Sequence, residues 1–205
     1  MLIRPRRDGD IAACAELLRQ VHELDSYPRY LPGDPESFLI QPDAYGCWVA
    51  ELDGTLVGHA SLVKRTSDPA MRIASEALGR PEDELGVIAR LFVSGRARRS
   101  GAGRRLLGTA TAAATARGLW PVLDVTTDAA AAIALYERTG WTRAGTTTVR
   151  FRGGHSLDEH IYLGPAPQSR LGAHARFLLL SQLARGSAIT VGHFPHSSVE
   201  NVPLS

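Results

Sequence analysis

The sequence predicts an α/β fold of the α+β kind, built on one mixed and mostly antiparallel central sheet, and three observations carry that expectation. Asp53-Gly54 separates two strand-like runs and is the dipeptide that most strongly marks a tight hairpin, because both positions accept a positive φ. Residues 87–125 read strand, helix, strand, an order that pairs in parallel through a right-handed crossover. Two more strand-like runs, Trp141 to Phe151 and His160 to Leu163, follow a further helix. Antiparallel strands early and a parallel pair later make the sheet mixed.

Leu2-Ile3-Arg4-Pro5 is expected as a short strand. Asp10 is placed to cap a helix in which Ile11, Cys14, Leu17, Leu18 and Val21 recur at intervals of three and four, the apolar stripe of an amphipathic helix. Tyr27-Pro28-Arg29-Tyr30-Leu31-Pro32-Gly33 reads as a loop, leading into a short helix near Pro35 to Leu39. Cys47 to Glu51 and Thr55 to Val63 are the hairpin strands, and residues 65–84 form a polar excursion. Val87 to Val93 is apolar throughout, as a strand buried on both faces must be. It runs into Arg96-Ala97-Arg98-Arg99-Ser100-Gly101-Ala102-Gly103 and an alanine-rich helix over 104–117, closed by Gly118. Val122 to Val125 resumes a strand, Asp128 caps a helix over 129–139, and Gly140 ends it. The breaker cluster Leu163-Gly164-Pro165-Ala166-Pro167 divides a domain of residues 1–164 from a tail of 165–205. That tail, with Phe177-Leu178-Leu179-Leu180, Leu183 and Ile189-Thr190-Val191, is a candidate for docking on the core or on a second copy, as in a homodimer.

With 205 residues, 44% hydrophobic and 21% charged, the chain can bury a core, which excludes a mini-protein and wholesale disorder. The net charge of +2 belongs to the tail, where Glu200 stands against Arg170, Arg176 and Arg185. A neutral body gives no bulk field toward nucleic acid or an anionic membrane, so neither is expected as a partner and any anion site must be local. The longest apolar run, Ala129 to Tyr136, falls far short of the ~20 residues of a membrane span. Met1 to Asp8 turns polar at once, so no secretory signal is expected. Cys14 and Cys47 fit two packing thiols in a reducing, cytoplasmic setting, with one bridge between them left open. No His or Cys cluster has metal-ligand spacing, and His193 and His196 are read as incidental.

The segment that carries chemistry is Leu91-Phe92-Val93 followed by Arg98-x-x-Gly101-x-Gly103 at a helix start. Two glycines remove side chains where several N–H groups can converge on an anion, and the helix dipole adds about half a positive charge. A Walker A loop would need Lys-Ser/Thr where Arg104-Arg105 stands, and a dinucleotide fingerprint would need glycine where Leu106 stands. The five guanidinium groups of Arg96, Arg98, Arg99, Arg104 and Arg105 therefore read as a pyrophosphate site rather than a nucleic-acid patch.

Arg98, Gly101 and Gly103 match the Arg/Gln-x-x-Gly-x-Gly/Ala signature, and the chain resembles the GCN5-related N-acetyltransferase (GNAT) superfamily over roughly residues 1 to 163. Ala131 to Trp141, an alanine-rich helix with Leu135-Tyr136 followed by Gly140 and an aromatic, resembles the family's second signature. The resemblance implies a fold whose parallel strand pair surrounds an acetyl-CoA site, with acetyl-CoA as cosubstrate and no metal. It implies that the backbone of Leu91, Phe92 and Val93 pairs with pantetheine, while Arg98, Arg99, Ser100, Gly101, Ala102, Gly103 and Arg104 surround the pyrophosphate. Tyr136 matches the tyrosine that protonates the departing thiolate, and Ala129 stands where many members carry Asn. Asp124 occupies the position of a carboxylate that some relatives use as base, with Glu84, His59 and water as rivals. Asp25, Tyr27, Arg29 and Tyr30 fall in the loop that lines the acceptor pocket, and His59 is a candidate wall or core histidine. The implied activity is direct acetyl transfer to a primary amine of a small molecule or peptide. A catalytically silent acyl-CoA-binding or regulatory protein would share the fold.

Overall fold

A computed structural model describes residues 1–66, 68–150 and 156–167. The expected tail elements, His193, His196 and Phe151 lie outside the described residues. The chain runs β1 (Leu2–Pro5), α1 (Ile11–Asp25), α2 (Pro35–Leu39), β2 (Ala44–Leu52), β3 (Thr55–Val63), α3 (Pro69–Leu78), β4 (Leu85–Val93), α4 (Ala102–Ala116), β5 (Trp120–Thr126), α5 (Ala130–Arg138), β6 (Thr142–Arg150) and β7 (Ser156–Leu163). The strands form one sheet in the order β1-β2-β3-β4-β5-β7-β6. Among the described residues only β4 and β5 pair in parallel, and the neighbours on either side are antiparallel.

The hairpin forms as expected: Asp53 and Gly54 take φ of 50° and 77°, the two positive values that match a tight turn to strand twist. α1 packs Cys14, Leu17, Leu18 and Val21 against Leu39, Val49 and Phe92 on one face of the sheet. α4 packs on the other face, where Leu107, Ala110 and Ala114 meet Leu62, Ile88 and Leu123. Gly58 permits this approach, since a Cβ there would stand 2.9 Å from a Leu106 methyl and 3.1 Å from the Phe92 carbonyl.

Three local expectations are corrected. Residues 65–84 are not a featureless excursion: Asp68 accepts from the Ala70 N–H at 2.7 Å, Pro69 begins α3, and Ala70, Met71 and Ala74 bury one helix face. Asp10 does not cap α1; its carboxylate accepts from the Arg7 N–H at 2.7 Å and binds Arg4, holding the single turn that precedes the helix. Asp128 does not cap α5, whose first turn follows Ala129 without a side-chain bond, because Asp128 is drawn away to Arg29.

Candidate active site

β4 and β5 stay together for three rungs, Leu85–Trp120, Gly86–Pro121 and Val87–Val122. Among the described residues β4 has no ladder partner on that side from Ile88 onward, whereas β5 continues beside β7 as far as Thr126 opposite Glu159. The sheet therefore splits into a V, and one edge of β4 offers backbone N–H and C=O groups to an extended ligand. A bulge turns that edge: Arg90 and Leu91 lie opposite the single Ala60, with Arg90 at a φ of 52°.

His59 fixes the bulge. Its Nδ1 lies 2.9 Å from the Arg90 carbonyl and its Nε2 lies 3.2 Å from Nη1 of Arg6. A guanidinium can only donate, so Nε2 accepts and Nδ1 carries the proton that goes to Arg90. The ring is fully buried, stacks on Phe92 at 5.3 Å, and is pushed by burial down to about 4, hence neutral. Of the two places expected for it, His59 takes the core and not the substrate-contacting wall of the cleft, and its free lone pair is spent on Arg6.

Beyond β4, Ser94 accepts from the Arg96 N–H at 3.3 Å to start a single turn. Arg99 and Gly101, with φ of 62° and 85°, then swing the chain into α4. The first α-helical bond runs from the Arg105 N–H to the Gly101 carbonyl at 3.0 Å, so the N–H groups of the residues before Arg105 have no acceptor within the helix. The Ala102 N–H donates to the Ser100 hydroxyl at 3.4 Å, and the helix start borders a cleft of about 940 Å³ lined by Leu91, Phe92, Val93, Arg98, Arg99, Gly101, Ala102, Gly103 and Arg104 on one side and by Ala129 to Ala132, Leu135 and Tyr136 on the other. Nothing lies within 4 Å of where a Cβ of Gly101 would stand, and the nearest atom to one at Gly103 is a Leu135 methyl at 3.4 Å. The floor is bare backbone beside an open space, which fits a pyrophosphate. Ser100 is the exception in this set: it does not line the cleft, and its hydroxyl donates to the Ala97 carbonyl at 2.6 Å, pinning the turn from behind.

Tyr136 belongs both to the core and to the cleft. Its ring packs 6.2 Å from Trp141 and 5.8 Å from Tyr162, and burial raises its pKa, so the hydroxyl keeps its proton. Tyr27 lines the same cleft, packs on Phe92 at 6.2 Å, and is likewise raised by burial. Asp25 at the end of α1 binds Arg98 on one wall and Arg29 in the following loop binds Asp128 beside the other, so two ion pairs tie this segment to both sides of the cleft. Tyr30 is 46% exposed and does not line the cleft.

Asp124 lies on β5 past the last rung shared with β4, does not line the cleft, and is ion-paired with Arg65, which also lies 3.2 Å from Asp68. It is near enough to both Tyr27 and Tyr136 for its charge to raise their pKa values. Sequence reasoning did not single out Arg65, Arg90 or Glu159. Glu159 is half-buried, and burial first, then the charge of Asp124, push it up to about 7. Glu84, a rival base, is paired with Arg80 at 2.6 Å on the exposed surface.

Residues 8–141 match the acetyltransferase (GNAT) family, more than half of the chain, and the chain belongs to that family. Solved structures share the fold. The ribosomal-protein-alanine N-acetyltransferase from Brucella melitensis has a TM-score of 0.61 at 23% identity, over 80% of this chain and 98% of its own. An N-acetyltransferase from Staphylococcus aureus Mu50 has a TM-score of 0.61 at 20% identity, over 79% of this chain and 96% of its own. The Salmonella typhimurium protein yncA, solved with its cofactor acetyl-CoA, has a TM-score of 0.60 at 21% identity, over 82% of this chain and 98% of its own. No curated protein matches the sequence. Among the described residues no helix is long and apolar enough to cross a membrane.

Proposed function

We propose that the chain is a cytoplasmic, acetyl-CoA-dependent N-acetyltransferase that moves an acetyl group to a primary amine of a small molecule or peptide by direct transfer. The observation that carries this reading is the meeting, in one cleft, of an unpartnered β4 edge, the N-terminus of α4 flanked by arginines, and the buried hydroxyl of Tyr136. In this reading the backbone of Leu91 to Val93 holds a pantetheine arm as an added strand. The first N–H groups of α4, with Arg98, Arg99 and Arg104, hold the pyrophosphate. When bound, acetyl-CoA supplies an activated thioester. A β4 N–H polarises the acetyl carbonyl, the amine approaches from the side of Tyr27, and Tyr136 gives its proton to the departing sulfur. The Brucella melitensis neighbour is a ribosomal-protein-alanine N-acetyltransferase, and a peptide amine is one acceptor class that an open cleft admits.

A thermal-shift titration with acetyl-CoA, CoA and desulfo-CoA, with duplex DNA as control, tests the cofactor. At a hundredfold excess over Kd the CoA compounds should add about 2.7 kcal/mol of apparent stability and DNA none; no shift with any CoA compound overturns the reading. Tyr136→Phe keeps the ring packing and should lower turnover by roughly 10² or more while acetyl-CoA affinity stays the same. Unchanged turnover removes Tyr136 from the mechanism. A shift with no turnover on any amine identifies a silent acyl-CoA-binding protein instead.

A further inference from the structure

Resting on the acetyltransferase reading, we propose that Glu159, on β7 beside the mouth of the V, takes the proton from the acceptor ammonium, while Asp124 is the carboxylate that holds Arg65 in place. The register sets the two acids on one face: Asp124 lies opposite Ile161 and Glu159 opposite Thr126, each two residues further along its strand. Both stand past the last rung that β4 and β5 share. They differ in their partners. Arg65 spends an Nη2 donor on Asp124 and points Nε at Asp68, and no guanidinium nitrogen bonds Glu159. Glu159 has neither a side-chain hydrogen bond nor an ion pair among the described residues, although it is half-buried.

The charged and titratable groups that act on Glu159 come from four directions: Asp124 on β5, Asp68 at the start of α3, Arg65 after β3, and Tyr27 in the loop after α1. Two further carboxylates against one guanidinium leave the site short of positive charge, which an ammonium supplies. Tyr27 connects the two ends of the site, since it lines the cleft with Tyr136 and feels the charges of Asp124, Glu159 and Arg90. Glu159 stands outside the cleft lining itself, and in this proposal an ammonium held against Tyr27 passes its proton to Glu159 through a water. The rivals are committed elsewhere: the His59 lone pair to Arg6, Glu84 to Arg80, Asp124 to Arg65.

The step balances. One N–H proton passes to the Glu159 carboxylate, and the freed lone pair forms the C–N bond to the acetyl carbon as the C–S bond breaks. The sulfur takes the Tyr136 proton. The second N–H proton returns through solvent to Tyr136, and Glu159 passes its own to water, so one proton is released per turnover.

The test is the pH dependence of kcat/KM, from about pH 5.5 to 9, with free thiol as readout and tyramine, spermidine and an alanine-terminated hexapeptide as acceptors. A 13C-carboxyl titration of the CoA complex, assigned with Glu159→Gln, accompanies it. The wild type should rise about tenfold per pH unit up to about 7 and then level, with Glu159 titrating near the same value. Glu159→Gln should lose that limb and about 10² in kcat/KM at pH 7.5 with acetyl-CoA affinity unchanged, and Glu159→Asp should keep the limb at reduced kcat. A limb that persists in Glu159→Gln, or vanishes only in Asp124→Asn, overturns the assignment, as does a Glu159 carboxyl that titrates near 4.5. Those results leave the acetyltransferase reading standing. A wild type that binds no acetyl-CoA or acetylates none of the amines overturns both.

Discussion

Two arginines gather carboxylates in this sheet, one in its closed half and one at its split, and they treat them in opposite ways. Arg4 on β1 donates Nε to Glu51 at 3.0 Å and both terminal nitrogens to Asp10 at 2.7 and 3.0 Å. That bidentate fork holds the Asp10 carboxyl down to about 2. Arg65 binds Asp124 and faces Asp68, but the third acid near it, Glu159, receives no donor and is driven up to about 7. The residue types are the same. What differs is that the β1–β2 pairing sets Glu51 beside Arg4 and the turn before α1 brings Asp10 to the same fork, whereas β7 brings Glu159 to a place where the sheet has opened. Where every carboxylate meets a donor the cluster is a fastening, and where one is left over it can do chemistry.

The strongest way to break this contrast is to remove the guanidinium at the split. Arg65→Met leaves Asp68, Asp124 and Glu159 facing one another without a cation, and should cost about 3 kcal/mol in urea unfolding, the low end for a buried pair because the side chain is 31% exposed. It should also drive the titration of Glu159 further upward. A loss below about 1 kcal/mol would mean that water already neutralises this cluster, as at an ordinary surface.

A second test uses the sign of each shift. Asp10 is lowered from 3.8 to about 2, so its contribution is complete above about pH 4 and is lost as pH falls through 2. The melting-temperature gap between wild type and Asp10→Asn should be open at pH 6 and close on acidification. Glu159 is raised from 4.5 to about 7, so the native state binds more protons than the unfolded chain between those values. Wild-type stability from this group falls as pH rises through that window, and Glu159→Gln, neutral throughout, should gain on the wild type from pH 4.5 to 7 and hold its advantage above. Melting curves in which the two variants move in parallel with pH would erase the distinction between the clusters.

The parts of the site that were legible in the sequence are those local along the chain. Leu91 to Val93 and the turn through Gly103 occupy one unbroken segment, and Gly-rich spacing at a helix start has few other uses. Tyr136 was reached through the resemblance of Ala131 to Trp141, again one unbroken segment, to the family's second signature; its helical phase alone fits a core aromatic equally well. The hairpin at Asp53-Gly54 was legible for the same reason. α3 was passed over although its signals are present, an Asp cap, Pro at the first turn and apolar residues at 70, 71 and 74, because a polar stretch obscures a short buried face. Glu159 and Arg65 were out of reach for a different reason. Nothing near residue 159 says that β7 inserts between β5 and β6, and without that order no reading places it beside Asp124. The same holds for Asp25 with Arg98 and Arg29 with Asp128, pairs made across 73 and 99 residues. His59 shows the converse: a histidine on a strand of the site looks chemical until the bulge at Arg90 explains what its two nitrogens hold.

The smallest effect is expected at the cleft mouth, where a third arrangement of the same residue types lies open to solvent. Asp25 and Arg98 are 35% and 54% exposed, and an ion pair of that kind contributes at most about 1 kcal/mol. It also engages the guanidinium that the pyrophosphate site needs. Asp25→Ala should therefore release Arg98 and tighten acetyl-CoA binding by about two- to fivefold at low salt, with the gain shrinking as ionic strength rises. If calorimetry shows weaker binding instead, Asp25 serves to hold Arg98 in its binding geometry. The mouth would then behave like the Arg4 cluster, with charges matched for position, and the surplus of carboxylate at the split would be the one place where the fold departs from that pairing.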